Sequence, residues 1–79
     1  MYTDAMKMAF HSIPAPKNFG VRLEDNDTFL VVRAKEDVFM RLHDDEKRSA
    51  IEYMAKVKQA LEDNGAIVLL VREGGAEDA

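Results

Sequence analysis

The residues of this 79-residue chain that could take part in chemistry are few: two histidines, two serines, four glycines whose backbone could cradle a phosphate, no cysteine, and carboxylates in clusters. Histidine is the side chain whose ordinary pKa lies near neutrality. His43 precedes Asp44, Asp45 and Glu46, a grouping that could form the corner of a metal centre. Such a centre needs three or four converging ligands with outer support, and no second histidine motif supplies them. The three acids also have another use, as the start of a helix. His11 stands beside Ser12 with no acid nearby. Ser12 and Ser49 lack a Gly-x-Ser-x-Gly elbow. Gly20, Gly65, Gly74 and Gly75 compose neither a dinucleotide fingerprint nor a phosphate loop. The carboxylate pairs Glu24/Asp27 and Glu62/Asp63 fall in or beside turns, where water solvates both members. An acid–base pair needs an apolar pocket to separate its two pKa values. The expectation is a non-enzymatic protein with no metal and no cofactor.

The absence of cysteine removes disulfides, thiolate metal sites and cysteine nucleophiles. Fifteen acids against eleven Lys and Arg give a net charge of −4, unsuited to general nucleic-acid binding. Leu, Ile, Val and Phe make up 20 of the 79 residues, enough apolar content to fold rather than stay disordered. No apolar run approaches the length of a membrane span and no basic-then-apolar leader opens the chain, so a cytoplasmic, single-domain protein spanning 1–79 is expected.

Several elements can be read from spacing. Tyr2, Met6, Ala9 and Ile13 recur at four, three and four residues, one face of a short helix capped by Thr3 and ended by Pro14 and Pro16. Val21 and Leu23 alternate with Arg22 and Glu24, and the β-branched run Thr28–Ala34 follows the turn formers Asp25-Asn26-Asp27, which predicts a hairpin. Val38, Met40 and Leu42 alternate with Phe39, Arg41 and His43. That predicts a third strand over 37–43, although Lys35-Glu36 is poor hairpin-turn chemistry and a short helix is the alternative.

The second half carries the clearest signals. Asp44-Asp45-Glu46 suits a helix start, with an Asp as cap. Ala50, Met54, Val57 and Leu61 form an inward stripe widened by Ile51, Tyr53 and Ala60, and Asn64-Gly65 ends the helix. A long helix over about 45–63 is predicted. Ala66–Val71 is uninterruptedly apolar and reads as a strand covered on both faces. Residues 73–79 read as a flexible tail. The expected fold is α+β, in the order α-β-β-β-α-β, with one mainly antiparallel sheet packed on the long helix.

If Val21, Leu23, Leu30, Val32, Val38, Met40 and Leu42 face that helix, the opposite sheet face carries Arg22, Phe29, Val31, Arg33, Phe39 and Arg41, with Val68 and Leu70 or their neighbours adding to it. Two explanations suit such a face. In the first, the N-terminal helix covers it with Tyr2, Met6 and Phe10. In the second it is a contact surface, because aromatic residues and Arg concentrate at binding hot spots. The candidate partner-binding residues are Arg22, Phe29, Arg33, Phe39 and Arg41. The expected partner is another protein or a second copy of this chain as a homodimer. The functional class this suggests is a small inhibitor or adaptor covering a larger protein, of the kind phages and mobile elements use as anti-defence and anti-CRISPR proteins. Single-stranded RNA stacked on sheet aromatics beside Arg is an alternative, opposed by the net charge.

A third alternative rests on Val71-Arg-Glu-Gly-Gly75 followed by Ala76–Ala79. This ending resembles the C-terminus of a ubiquitin-type modifier precursor, and the resemblance implies a tail cleaved after Gly75 and conjugated through it. The order of elements departs from that family, whose fold has further strands between helix and tail.

Overall fold

The structure is a computed structural model that describes residues 2–73. The chain runs α1 (Asp4–His11), β1 (Arg22–Asp25), β2 (Leu30–Lys35), α2 (Glu36–Met40), α3 (Asp44–Asp63) and β3 (Val68–Glu73). The class is α+β, but the order is α-β-β-α-α-β, because the segment expected as a third strand begins as a helix. Glu36 and Asp37 place acids at its positive end, and Asp37 Oδ1 accepts from the Val38 N–H at 2.9 Å. Phe39 and Leu42, three residues apart, both turn inward at 9% exposure, whereas Met40 is 57% exposed. The alternation of Val38, Met40 and Leu42 therefore marks no strand face.

The hairpin forms as its turn residues dictate. Asp27 takes a left-handed φ of 61° and its N–H donates to Asp25 Oδ1, an Asx turn, while the Asn26 N–H donates to the Phe29 carbonyl. The sheet order is β1-β2-β3, with β1 antiparallel and β3 parallel to β2. The sheet is thus mixed rather than mainly antiparallel. Helices α2 and α3 carry the chain from the far end of β2 back to its start, which makes the returning strand parallel.

Helix α3 begins at Asp44, with His43 rather than an aspartate in the N-cap position. Glu46 reaches back and accepts the His43 N–H at 2.9 Å, the acidic half of a capping box. At the other end Gly65 has φ 96°, its N–H donates to the Glu62 carbonyl, and the Ala66 N–H donates to Leu61. These two bonds are the Schellman pair, and Leu61 and Ala66 both enter the core. Helix α1 is capped by Thr3, whose Oγ1 accepts the Met6 N–H at 3.1 Å.

The core lies on one side of the sheet. Leu30, Val32 and Ala34 of β2 and Val68 of β3 meet Ala50, Tyr53, Met54, Val57 and Leu61 of α3, with Met6 from α1 and Phe39 from α2 in the same cluster. The expected α3 stripe is the buried one. Phe19, in the linker before β1, joins Tyr53 and Phe39 edge-on, with ring centroids 6.3 and 6.4 Å away. All three helices share this side, giving two layers and a thinnest dimension of 14 Å. No helix among the described residues is long and apolar enough to cross a membrane. The expected tail lies outside the described residues from Gly74 onward.

Candidate functional site

Alternation along the strands decides what the other sheet face presents. With Leu30, Val32 and Val68 turned to the helices, the register puts Arg22 beside Arg33 and Val71, and Glu24 beside Val31 and Leu69. Phe29, just before β2, is half-buried and outside the helix-side cluster. Helix α1 does not lie over this face: Met6 is 2% exposed within the helix-side core, with Tyr2 and Phe10 packed against it. Among the described residues no helix covers this face. Ile67 is 62% exposed and Leu69 48%.

Its polar groups are tied together. Arg33 Nε donates to Glu24 Oε2 at 2.9 Å and Nη2 to Oε1 at 3.1 Å, and Arg22 Nε lies 3.8 Å from the same carboxylate. The hydrogen bond from Arg33 holds the Glu24 carboxyl below its ordinary pKa; desolvation opposes it, and the charges of Arg33 and then Arg22 add to the lowering. Lys35 extends the basic end of the face, with Glu73 next to it in register. The result is an apolar strip in which Ile67 and Leu69 are exposed, Val71 is half-buried and Val31 is buried at 6% exposure, bordered by an Arg–Glu–Arg cluster.

Of the five residues expected to bind a partner, Arg22, Phe29 and Arg33 belong to this face. Phe39 and Arg41 do not, because their segment is not part of the sheet. Phe39 is in the core, with Lys47 Nζ at 5.9 Å and the Arg72 guanidinium at 5.7 Å from its ring centre. Arg41 caps the C-terminus of α2 and is exposed. The face instead gains Ile67, Leu69 and Val71. Their signal was the unbroken apolar run after Gly65, read as a strand covered on both sides; in the structure β3 is an edge strand with one face open.

A second apolar feature lies on the helix side of that edge. Phe39, Ile51, Met54, Ala55, Leu70 and Arg72 line a groove of about 480 Å³, in which Ile51 is 58% and Leu70 42% exposed. Ile51 is on the α3 stripe but beyond the reach of the sheet. A shallower, more polar cleft of about 440 Å³ separates the Ser12–Pro16 linker from Ser49, Glu52, Tyr53 and Lys56 of α3. Its Ser12 hydroxyl donates to the Ala9 carbonyl at 2.8 Å, so the geometry sets up no nucleophile–base pair there.

The histidine and acid grouping at 43–46 is occupied with capping: Glu46 binds the His43 N–H and Asp45 Oδ1 accepts the Glu46 N–H at 3.0 Å. Among the described residues no three His, Asp or Glu side chains converge as metal ligands. Gly74 and Gly75 lie outside the described residues, and β3 leads directly to them. Compared with known families, curated proteins and solved structures, the chain matches none.

Proposed function

We propose that this chain is a non-enzymatic protein-interaction domain that presents the helix-free face of its sheet to a larger protein. The observation carrying this reading is the exposure of Ile67 and Leu69 beside half-buried Phe29 and the Arg22–Glu24–Arg33 cluster. A soluble monomer rarely leaves a contiguous apolar patch of several hundred Å² bare. Aromatic and Arg side chains bordering such a patch are the composition of a binding hot spot. The basic groups at its rim, in a chain of net charge −4, suit a partner whose own apolar surface is fringed with carboxylates. Covering a partner's surface needs no catalytic group. An inhibitor or adaptor role belongs to this reading.

The test is binding by purified partner. A protein captured from the source lysate is purified and titrated against the chain and its variants. Leu69→Asp should weaken binding at least tenfold with the fold intact, while Lys56→Glu on the exposed side of α3 leaves it unchanged. Affinity should fall only modestly with salt, because the rim charges add to a mainly apolar contact. Binding indifferent to Leu69→Asp overturns the assignment of the face. The RNA alternative predicts single-stranded RNA binding that falls steeply with salt and is lost in Arg33→Gln. That result would replace the protein partner.

A further inference from the structure

We propose that the outer edge of β3, with which no described strand pairs, pairs antiparallel with β3 of a second copy, joining two three-stranded sheets into one of six strands. The edge is distinct from the open face, so this proposal does not depend on the partner assigned to that face.

The backbone identifies which groups await a neighbour. The Leu30 N–H donates to the Ile67 carbonyl at 2.8 Å, and β2 and β3 run parallel in register from Leu30↔Val68. In a parallel ladder alternate residues direct their N–H and C=O toward the same neighbour. Ile67, Leu69 and Val71 therefore serve β2, and Val68, Leu70 and Arg72 direct theirs outward.

The two edges of the sheet are built differently. Edge strands are commonly protected by shortness, charge, proline or a bulge. β1 follows that rule: it has four residues, three of them charged, Arg22, Glu24 and Asp25. β3 has six, of which only the last two, Arg72 and Glu73, are charged, and from Ala66 to Val71 the chain contains no charge, no proline and no glycine.

The edge is also complementary to itself. A two-fold axis at Leu70 pairs Leu70 with its copy and Val68 with Arg72 of the second copy, so every outward-directed residue meets another. On the open face Leu69 meets Val71 of the second copy. No two like charges are opposed, because Arg72 faces an apolar residue and is held by Glu36, its Nε 3.2 Å from Oε1. The same axis brings the two Leu70–Ile51 grooves together, so that α3 of each copy closes the groove of the other. A contact of one strand edge and one helix from each copy is small for a specific interface, which fits a concentration-dependent dimer.

Sedimentation equilibrium of the full chain from about 1 µM to about 1 mM tests the assembly, with amide hydrogen exchange on the concentrated sample. We expect the mass to rise from 8.9 kDa toward twice that value, with slowed exchange at Val68, Leu70 and Arg72. Ile51→Glu should raise the dissociation constant at least tenfold without altering helical content. Leu70→Pro should abolish the dimer, since it removes an outward N–H that β2 does not use. A chain monomeric throughout this range overturns the proposal. So does a dimer whose Val68, Leu70 and Arg72 amides exchange as freely as in dilute solution, whether or not Leu70→Pro folds.

Discussion

Arg33 grips Glu24 through two parallel hydrogen bonds along the diagonal of the β1–β2 ladder, while its directly opposed neighbour is Arg22. Two like charges facing each other across a ladder repel, and the diagonal carboxylate stands between them. The open face is thus not a loose scatter of cations. Its hairpin is held by an arginine that already directs two of its donors to Glu24.

Glu24→Gln should destabilise the fold at neutral pH by leaving the two guanidinium groups opposed. The folded pKa of Glu24 is depressed, so its stabilisation is present above the ordinary carboxylate pKa and is lost as pH falls through the depressed value. The melting temperatures of wild type and variant should therefore converge in acid, below the ordinary carboxylate range. A gap independent of pH between neutrality and that range would show that the carboxylate charge is not what matters.

The α3 stripe is the main support of the sheet. Leu61 and Val57 are fully buried, and Leu61→Ala should cost roughly 2–5 kcal/mol. In a domain of this size that corresponds to a fall in Tm of at least about 10 °C by calorimetry. Ile51→Ala, on the same helix but 58% exposed, should leave the Tm of dilute protein nearly unchanged.

Two glycines separate backbone strain from crowding. A Cβ placed on Gly20 or on Gly65 meets no atom within 4 Å, but Gly65 has φ 96°. Gly65→Ala should cost about 1 kcal/mol through the left-handed conformation its Schellman turn demands. Gly20→Ala should change stability by less than about 0.5 kcal/mol. Equal costs measured by denaturant unfolding would locate the constraint elsewhere.

Phe39→Asp should unfold the protein rather than release a partner. The ring is 9% exposed, packs edge-on against Phe19, and has Lys47 and Arg72 over it. Loss of cooperative melting and of near-ultraviolet dichroism is the expected outcome. Arg41→Gln, at an exposed helix end, should leave both folding and partner binding intact.

How far the sequence determines this protein follows from how local each signal is. Helix α3 was legible because its acidic start, its stripe and its glycine stop are all contained in the segment they describe, and the hairpin was legible because Asp25-Asn26-Asp27 is turn chemistry by itself. That placed Arg22, Phe29 and Arg33 together on one face, since side chains alternate along a strand whatever lies above it. Residues 37–43 misled because alternation over so few positions fits strand and helix alike. The inward spacing of Phe39 and Leu42 became distinctive only against α3 and Phe19. The apolar run Ala66–Val71 specified a strand, yet its residues would read the same in the centre of a sheet or at an edge. Only the tertiary structure decided that two helices return the chain beside β2 and that nothing follows on β3's far side among the described residues. Apolar composition records how readily a strand leaves water; which neighbour takes up its backbone groups depends on chain segments distant in sequence.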